Sequence, residues 1–203
     1  MRSPDNLNSV QLDALKEISN IGIGHAATSL SQLLGKKISM SVPKIILTPI
    51  TEVTNVIGGP EELVIGIYLK ILGQAKGSIL IIFPQDSASS LLNLLTGKGL
   101  KDISELDLNA QSALKELGNI LSSSYLTALS NLLKMCLIPS IPGLAFDMMS
   151  AVVDFVLIEL GEVGDYALVV ETTFTEAIAN IKGHIFLLPD PQTLEIIFKA
   201  INM

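Results

Sequence analysis

The chain has one cysteine, no tryptophan, three tyrosines and only two histidines among its 203 residues. Cys136 alone excludes an internal disulfide framework and any cysteine-based zinc site. His25 and His184 leave little from which to build a histidine-rich metal site. Basic residues are also scarce: 13 Lys and Arg stand against 20 Asp and Glu, a net charge of −7. A nucleic-acid binder needs the opposite balance to neutralise phosphates, so that class is set aside. Charge of either sign is thin at 16%, while 49% of residues are hydrophobic, so disorder is excluded as well.

Long apolar runs are missing too. Mean hydropathy is +0.54, yet unbroken aliphatic stretches such as 79–83 fall far short of the ~18 residues of a spanning helix. The opening MRSPDNLNS has no apolar core of a secretory signal. The expectation is a soluble, cytoplasmic protein without membrane insertion, its hydropathy spent on a broad sheet core.

What the chain does contain is a repeat. Residues 12–43 align without gaps on 111–142 at an offset of 99, with identity at 13 of 32 positions. Each copy opens with a helical pattern: Leu12, Leu15 and Ile18 in the first, Leu114, Leu117 and Leu121 in the second. Asn8 and Asp107 precede them as N-cap residues. Gly22 and Gly24 predict a bend in the first helix. Pro43 and Pro142 are expected to close the helical regions and lead into the first strands.

Strands are expected over 44–56 and 63–69, separated by GGPEE, and over 76–83, before a helix over 84–96 stopped by Gly97. The second copy predicts strands over 151–160, 167–175 and the KGHIFLL segment, with a GEVGDY turn between the first two and a last helix over 192–201. The expected fold is α+β: internally duplicated, pseudo-two-fold helix–strands–helix repeats forming a mostly antiparallel sheet covered by helices. The repeats span about 8–104 and 105–203 of a single domain.

Asp13, Glu17 and Asn20 fall at i, i+4 and i+7, on one helical face away from Leu15. Ser112, Glu116 and Asn119 repeat the stripe, and Pro43 and Pro142 each lie 23 residues beyond the Asn. One Glu–x–x–Asn is ordinarily a solvated face, and Lys16 and Lys115 are repeated just as faithfully, so repetition alone does not prove chemistry. Asn, however, is a mediocre helix former kept mid-helix in both copies.

These residues resemble the signature of the CheC, CheX and FliY phosphatases of bacterial and archaeal chemotaxis: Asp or Ser, three residues, Glu, two residues, Asn, 22 residues, Pro. IGIGHAAT also looks like that family's NIGxGNAAT stretch, with His25 where Asn is common. Two complete copies make the chain most similar to the CheC type; FliY-type members add a C-terminal flagellar-switch domain, for which no room is expected after Met203. The resemblance implies hydrolysis of the aspartyl phosphate of the response regulator CheY, with no cofactor held by this chain and Mg²⁺ carried by the phosphorylated regulator. It assigns Asn20 and Asn119 to orienting water and Glu17 and Glu116 to pairing with the regulator's lysine, with Asp13 and Ser112 in support. It also implies a second partner, the receptor deamidase CheD, meeting residues 144–153 around Asp147. A chain acting mainly through CheD with little catalysis is the alternative.

The remaining candidates read as structural. His25 and His184 are expected to be packed or partly exposed, and Cys136 to be a small core residue. Met148 and Met149 are expected in the core, with an adaptable contact surface as the other reading. GIGHA follows no strand and so is not a dinucleotide loop; GKGLK over 97–101 reads as a helix stop.

Overall fold

The computed structural model describes residues 9–56, 59–99, 106–160, 166–176 and 179–201. The chain runs α1 (Ser9–Leu34), β1 (Ser39–Pro49), a 3-10 helix (Ile50–Val56), β2 (Leu63–Gly73), β3 (Gly77–Pro84) and α2 (Gln85–Thr96). It then repeats that order: α3 (Leu108–Leu133), a first strand split into β4 (Leu137–Pro139) and β5 (Gly143–Met148), α4 (Met149–Leu160), β6 (Tyr166–Glu176), β7 (Ala179–Pro189) and α5 (Pro191–Ile201).

Among the described residues seven strands join one antiparallel sheet in the order β1-β6-β7-β3-β2-β4, with β5 also on β2. The hairpins β2–β3 and β6–β7 meet at its centre, and each flanking strand belongs to the other half: β1 pairs with β6, β4 and β5 with β2. The order therefore reads alike from either edge, as expected of a duplicated α+β fold.

Alternation along the strands sends side chains to two layers. Ile67, Leu69, Ile79 and Ile81 pack with Leu30, Leu114, Leu121, Leu91 and Ile197, from the four helices α1, α3, α2 and α5. On the other face, Leu80, Ile82, Val169 and Phe186 pack with Val53 of the 3-10 helix and with Met149, Val152 and Val156 of α4. Both faces of β3 are covered, so its KGSILIIF run is continuous rather than alternating. Each fully buried Leu, Ile or Phe contributes about 1.5–3 kcal/mol.

Several expectations are corrected. Residues 149–160 form α4, not a strand, because Met149, Val152, Val153 and Val156 turn inward at helical spacing. The strand expected over 44–56 begins earlier, at Ser39, and ends at Pro49, where the 3-10 helix takes over. Neither proline closes a helix. Helix α1 is followed by Gly35 with φ +61°, and α3 ends at Lys134 with φ 54°, whose N–H bonds the Ser130 carbonyl. Pro43 instead sits inside β1 where the register jumps between Ser41 and Lys44, and Pro142 fills the gap between β4 and β5. A proline has no N–H to give a ladder, which suits both positions.

Helix α1 runs through Gly22 and Gly24 without a break. A Cβ at Gly22 would lie 2.9 Å from the Tyr125 Cα, so this glycine serves close helix packing. Cys136 is exposed: it follows the left-handed turn at Lys134, its N–H bonds Gln74 Oε1 at 2.8 Å, and the next residue, Leu137, takes the core position. Asp107 caps α3 as expected, its carboxylate accepting the Ala110 N–H at 2.8 Å; Asn8 and residues 161–165 of the GEVGDY turn lie outside the described residues.

Candidate functional site

The two first helices pack on one another. At their crossing Ser19 Oγ lies 3.3 Å from Tyr125 Oη in a buried pair, beside the close approach at Gly22. Burial pushes the Tyr125 hydroxyl above its ordinary pKa, and the Ser19 hydrogen bond pulls it partly back. A neutral phenol and a serine hydroxyl, each able to donate or accept, suit a contact closed to water.

The residues that fix α1 set the direction of its other face. Leu15, Ser19, Ile23, Ala26 and Leu30 are buried, while Asp13, Glu17 and Asn20 are exposed. At about 100° per residue, Glu17 lies about 40° to one side of Asp13, Asn20 about 20° to the other and Gly24 about 20° from Asp13, between them. Gly24 is exposed too. The stripe thus has four members. From the sequence Gly24 was legible as a helix weakener and as the second glycine of the IGIGHAAT stretch, although its spacing, seven after Glu17 and four after Asn20, was available as a further signal.

On α3, Ser112 and Glu116 are exposed and Asn119 is half-buried; the position matching Gly24 is Ser123, also exposed. Ser122, the preceding residue, turns its hydroxyl back to the Gly118 carbonyl at 2.7 Å and reaches the Asn119 carbonyl at 3.3 Å. All six expected site residues therefore lie on two stripes, one on each helix of a packed pair. Lys16 and Lys115 are exposed next to them.

A carboxamide offers one acceptor oxygen and two donor hydrogens but takes up no proton near neutrality. A carboxylate one turn away is an acceptor for a cation. Such a surface can orient a water and grip an ammonium group. Among the described residues no group of three or more His, Cys, Asp or Glu side chains converges as a metal site. Nor, among them, is any helix long and apolar enough to cross a membrane.

The other candidates lie elsewhere. Asp147 is exposed on β5, opposite Val64, and its Oδ1 accepts the Met148 N–H at 2.8 Å. Met148 is exposed and Met149 buried, so the methionine pair divides between surface and core. His25 is exposed on α1. His184 is buried in β7, where desolvation lowers its pKa, the Glu171 carboxylate across the strand pair raises it, and Lys182 lowers it further.

The sequence pattern of the CheC-like family matches residues 10–47 and 110–144, which span both stripes and the strands that follow. The CheY-P phosphatase CheC of Bacillus subtilis is 40% identical over 202 residues, 98% of this chain and 97% of that protein. The putative CheY-P phosphatase CheC1 of Halobacterium salinarum is 25% identical over 184 residues, 89% of this chain and 90% of that protein. Among solved structures, Thermotoga maritima FliY superposes with a TM-score of 0.75 at 21% identity, covering 97% of this chain and 98% of that one. This chain belongs to the CheC-like family.

Proposed function

We propose that the chain is a CheY-P phosphatase, accelerating hydrolysis of the aspartyl phosphate on the chemotaxis response regulator CheY. An acyl phosphate is intrinsically labile, and the phosphorylated regulator brings its own Mg²⁺ and lysine. What the partner has to add is a water held in line with the scissile P–O bond. Asn20 and Asn119 orient that water. Its oxygen attacks phosphorus, the bond to the aspartyl carboxylate breaks, and inorganic phosphate leaves. Glu17 and Glu116 pair with the regulator's lysine and set the docking register, while Asp13 and Ser112 support the far end of each stripe. The two repeats, about 8–104 and 105–203, work as one cytoplasmic domain with two such sites.

The observation that carries this reading is the repeated Glu–x–x–Asn on the outward faces of both helices, with Glu17, Asn20 and Glu116 exposed and Asn119 half-buried. Asn20→Ala combined with Asn119→Ala abolishes the acceleration of phosphoaspartate decay and leaves the circular-dichroism spectrum and unfolding midpoint in place; undiminished acceleration would overturn the assignment.

A second reading is favoured by the surface around β5. Asp147 and Met148 are exposed, and Met148 pairs across the sheet with the exposed Leu63. That surface suits a protein partner, and on this reading the partner is CheD. CheY-P decay measured with and without CheD separates the two: no acceleration in either condition leaves only the binding role.

A further inference from the structure

Gly24 is the position of the α1 stripe that the fold does not explain. Glycine is the poorest helix residue after proline, and mid-helix it costs stability relative to alanine. Two residues earlier the reason is plain, because a side chain at Gly22 would collide with α3. Among the described residues, a Cβ built at Gly24 meets nothing within 4 Å. The chain keeps an unfavourable residue where none of the described residues crowds it, in the middle of the face that carries Glu17 and Asn20.

Asparagine is the short amide, one methylene less than glutamine. To bring its carboxamide to a phosphorus atom already surrounded by another protein's metal ion and lysine, the helix backbone itself has to come close. A side chain one turn beyond Asn20 would stand between the two surfaces. We propose that Gly24 is a specificity-determining residue: beside the exposed Ile21, His25 and Thr28, whose hydroxyl bonds the Gly24 carbonyl at 3.1 Å, it leaves one side-chain position empty, and the phosphorylated regulator settles into that notch over Asn20. The inference rests on the phosphatase reading of the stripe. On α3 the matching residue is Ser123, so the Asn119 site has less clearance and docks the regulator more weakly.

The test uses the full chain with the second site silenced by Asn119→Ala. Into that parent go Gly24→Ala and Gly24→Gln, and steady-state hydrolysis is measured against the concentration of phosphorylated CheY, alongside thermal unfolding. Gly24→Gln raises KM about tenfold through the overlap it creates, while kcat stays within about twofold because the water-orienting group is untouched. Gly24→Ala raises KM by less, and its Tm climbs by about 2–4 °C because alanine is the better helix former. A stabilised protein with weakened docking is a combination that a merely structural role does not produce. Unchanged KM in Gly24→Gln, or a lowered Tm in Gly24→Ala, overturns the proposal. So does a parent that has lost all activity while the unsubstituted chain retains it. If the unsubstituted chain itself fails to accelerate decay, the phosphatase reading falls first.

Discussion

Helices α1 and α3 are each 26 residues long and carry the same polar stripe, but they occupy different places in the protein. α3 lies directly on the sheet: a Cβ at Gly118 would come within 2.6 Å of Ile67 Cγ2 on β2. α1 lies against α3 instead, through Gly22 and Tyr125, and flanks β1. The positions matching these two glycines are Ser19 and Leu121, both buried, so each helix uses its own small residue for its own neighbour. The inner helix has the wider buried arc, which reaches Leu126 and leaves Asn119 half-covered. The outer helix has a narrower one and leaves Asn20 open. Two copies of one motif thereby acquire unequal surroundings through packing beneath them, without any change in the Glu and Asn themselves.

The comparison breaks most severely at the helix crossing. Tyr125→Ala empties the buried contact that holds α1 on α3 and costs about 3–5 kcal/mol, read as a lowered urea midpoint. Next come the two packing glycines: Gly118→Ala forces α3 off β2 and Gly22→Ala forces α1 off α3, each costing about 1–3 kcal/mol by overpacking. Stability loss in both, measured by the same unfolding curves, stands opposite to the gain expected at Gly24. If Gly22→Ala were neutral, the account of α1 as a helix docked through that glycine would fail.

The smallest effect concerns the central strands. KGS at 76–78 matches KGH at 182–184, and both Ser78 and His184 are buried. Only His184 titrates. With its folded pKa below the ordinary 6.5, the unfolded chain binds more protons in the interval between the two values. Stability therefore falls as pH drops below 6.5 and levels off once the folded pKa has been passed. His184→Ser makes the second repeat like the first and flattens that part of the stability-against-pH curve; a slope that persists would place its origin in other groups.

Much of this was legible in the sequence for physical reasons. The stripe was readable because a helix face has a fixed period, and α2 because Gly97, at φ +76°, ends it where a glycine should. β3 was readable because a strand covered on both sides shows an unbroken apolar run, here Ile79 to Phe83. α4 was not, because its valines carry strand propensity and its outer face is apolar as well: Phe155 and Ile158 are exposed, so no polar period marks the helix. Its counterpart at the offset of 99, Ile50–Val56, is helical in the 3-10 form and was read as strand too. The repeat was detected, but its two members there misled in the same direction. Cys136 looked internal from its apolar neighbours, and only the left-handed turn before it shows why it faces out. Gly22 and Gly24 looked alike in sequence and separate only when the opposing helix is in place.

The crossed placement of β1 and β4–β5 has a consequence for how the chain can be assembled. Neither half completes its own set of strands, because each lends its outermost ribbon to the other. Cutting the backbone between residues 99 and 106 would give two fragments, each without the flanking strands that the other carries. The arrangement is like that of a symmetric dimer joined into one chain, and within a single chain the two stripes need not carry the same residues.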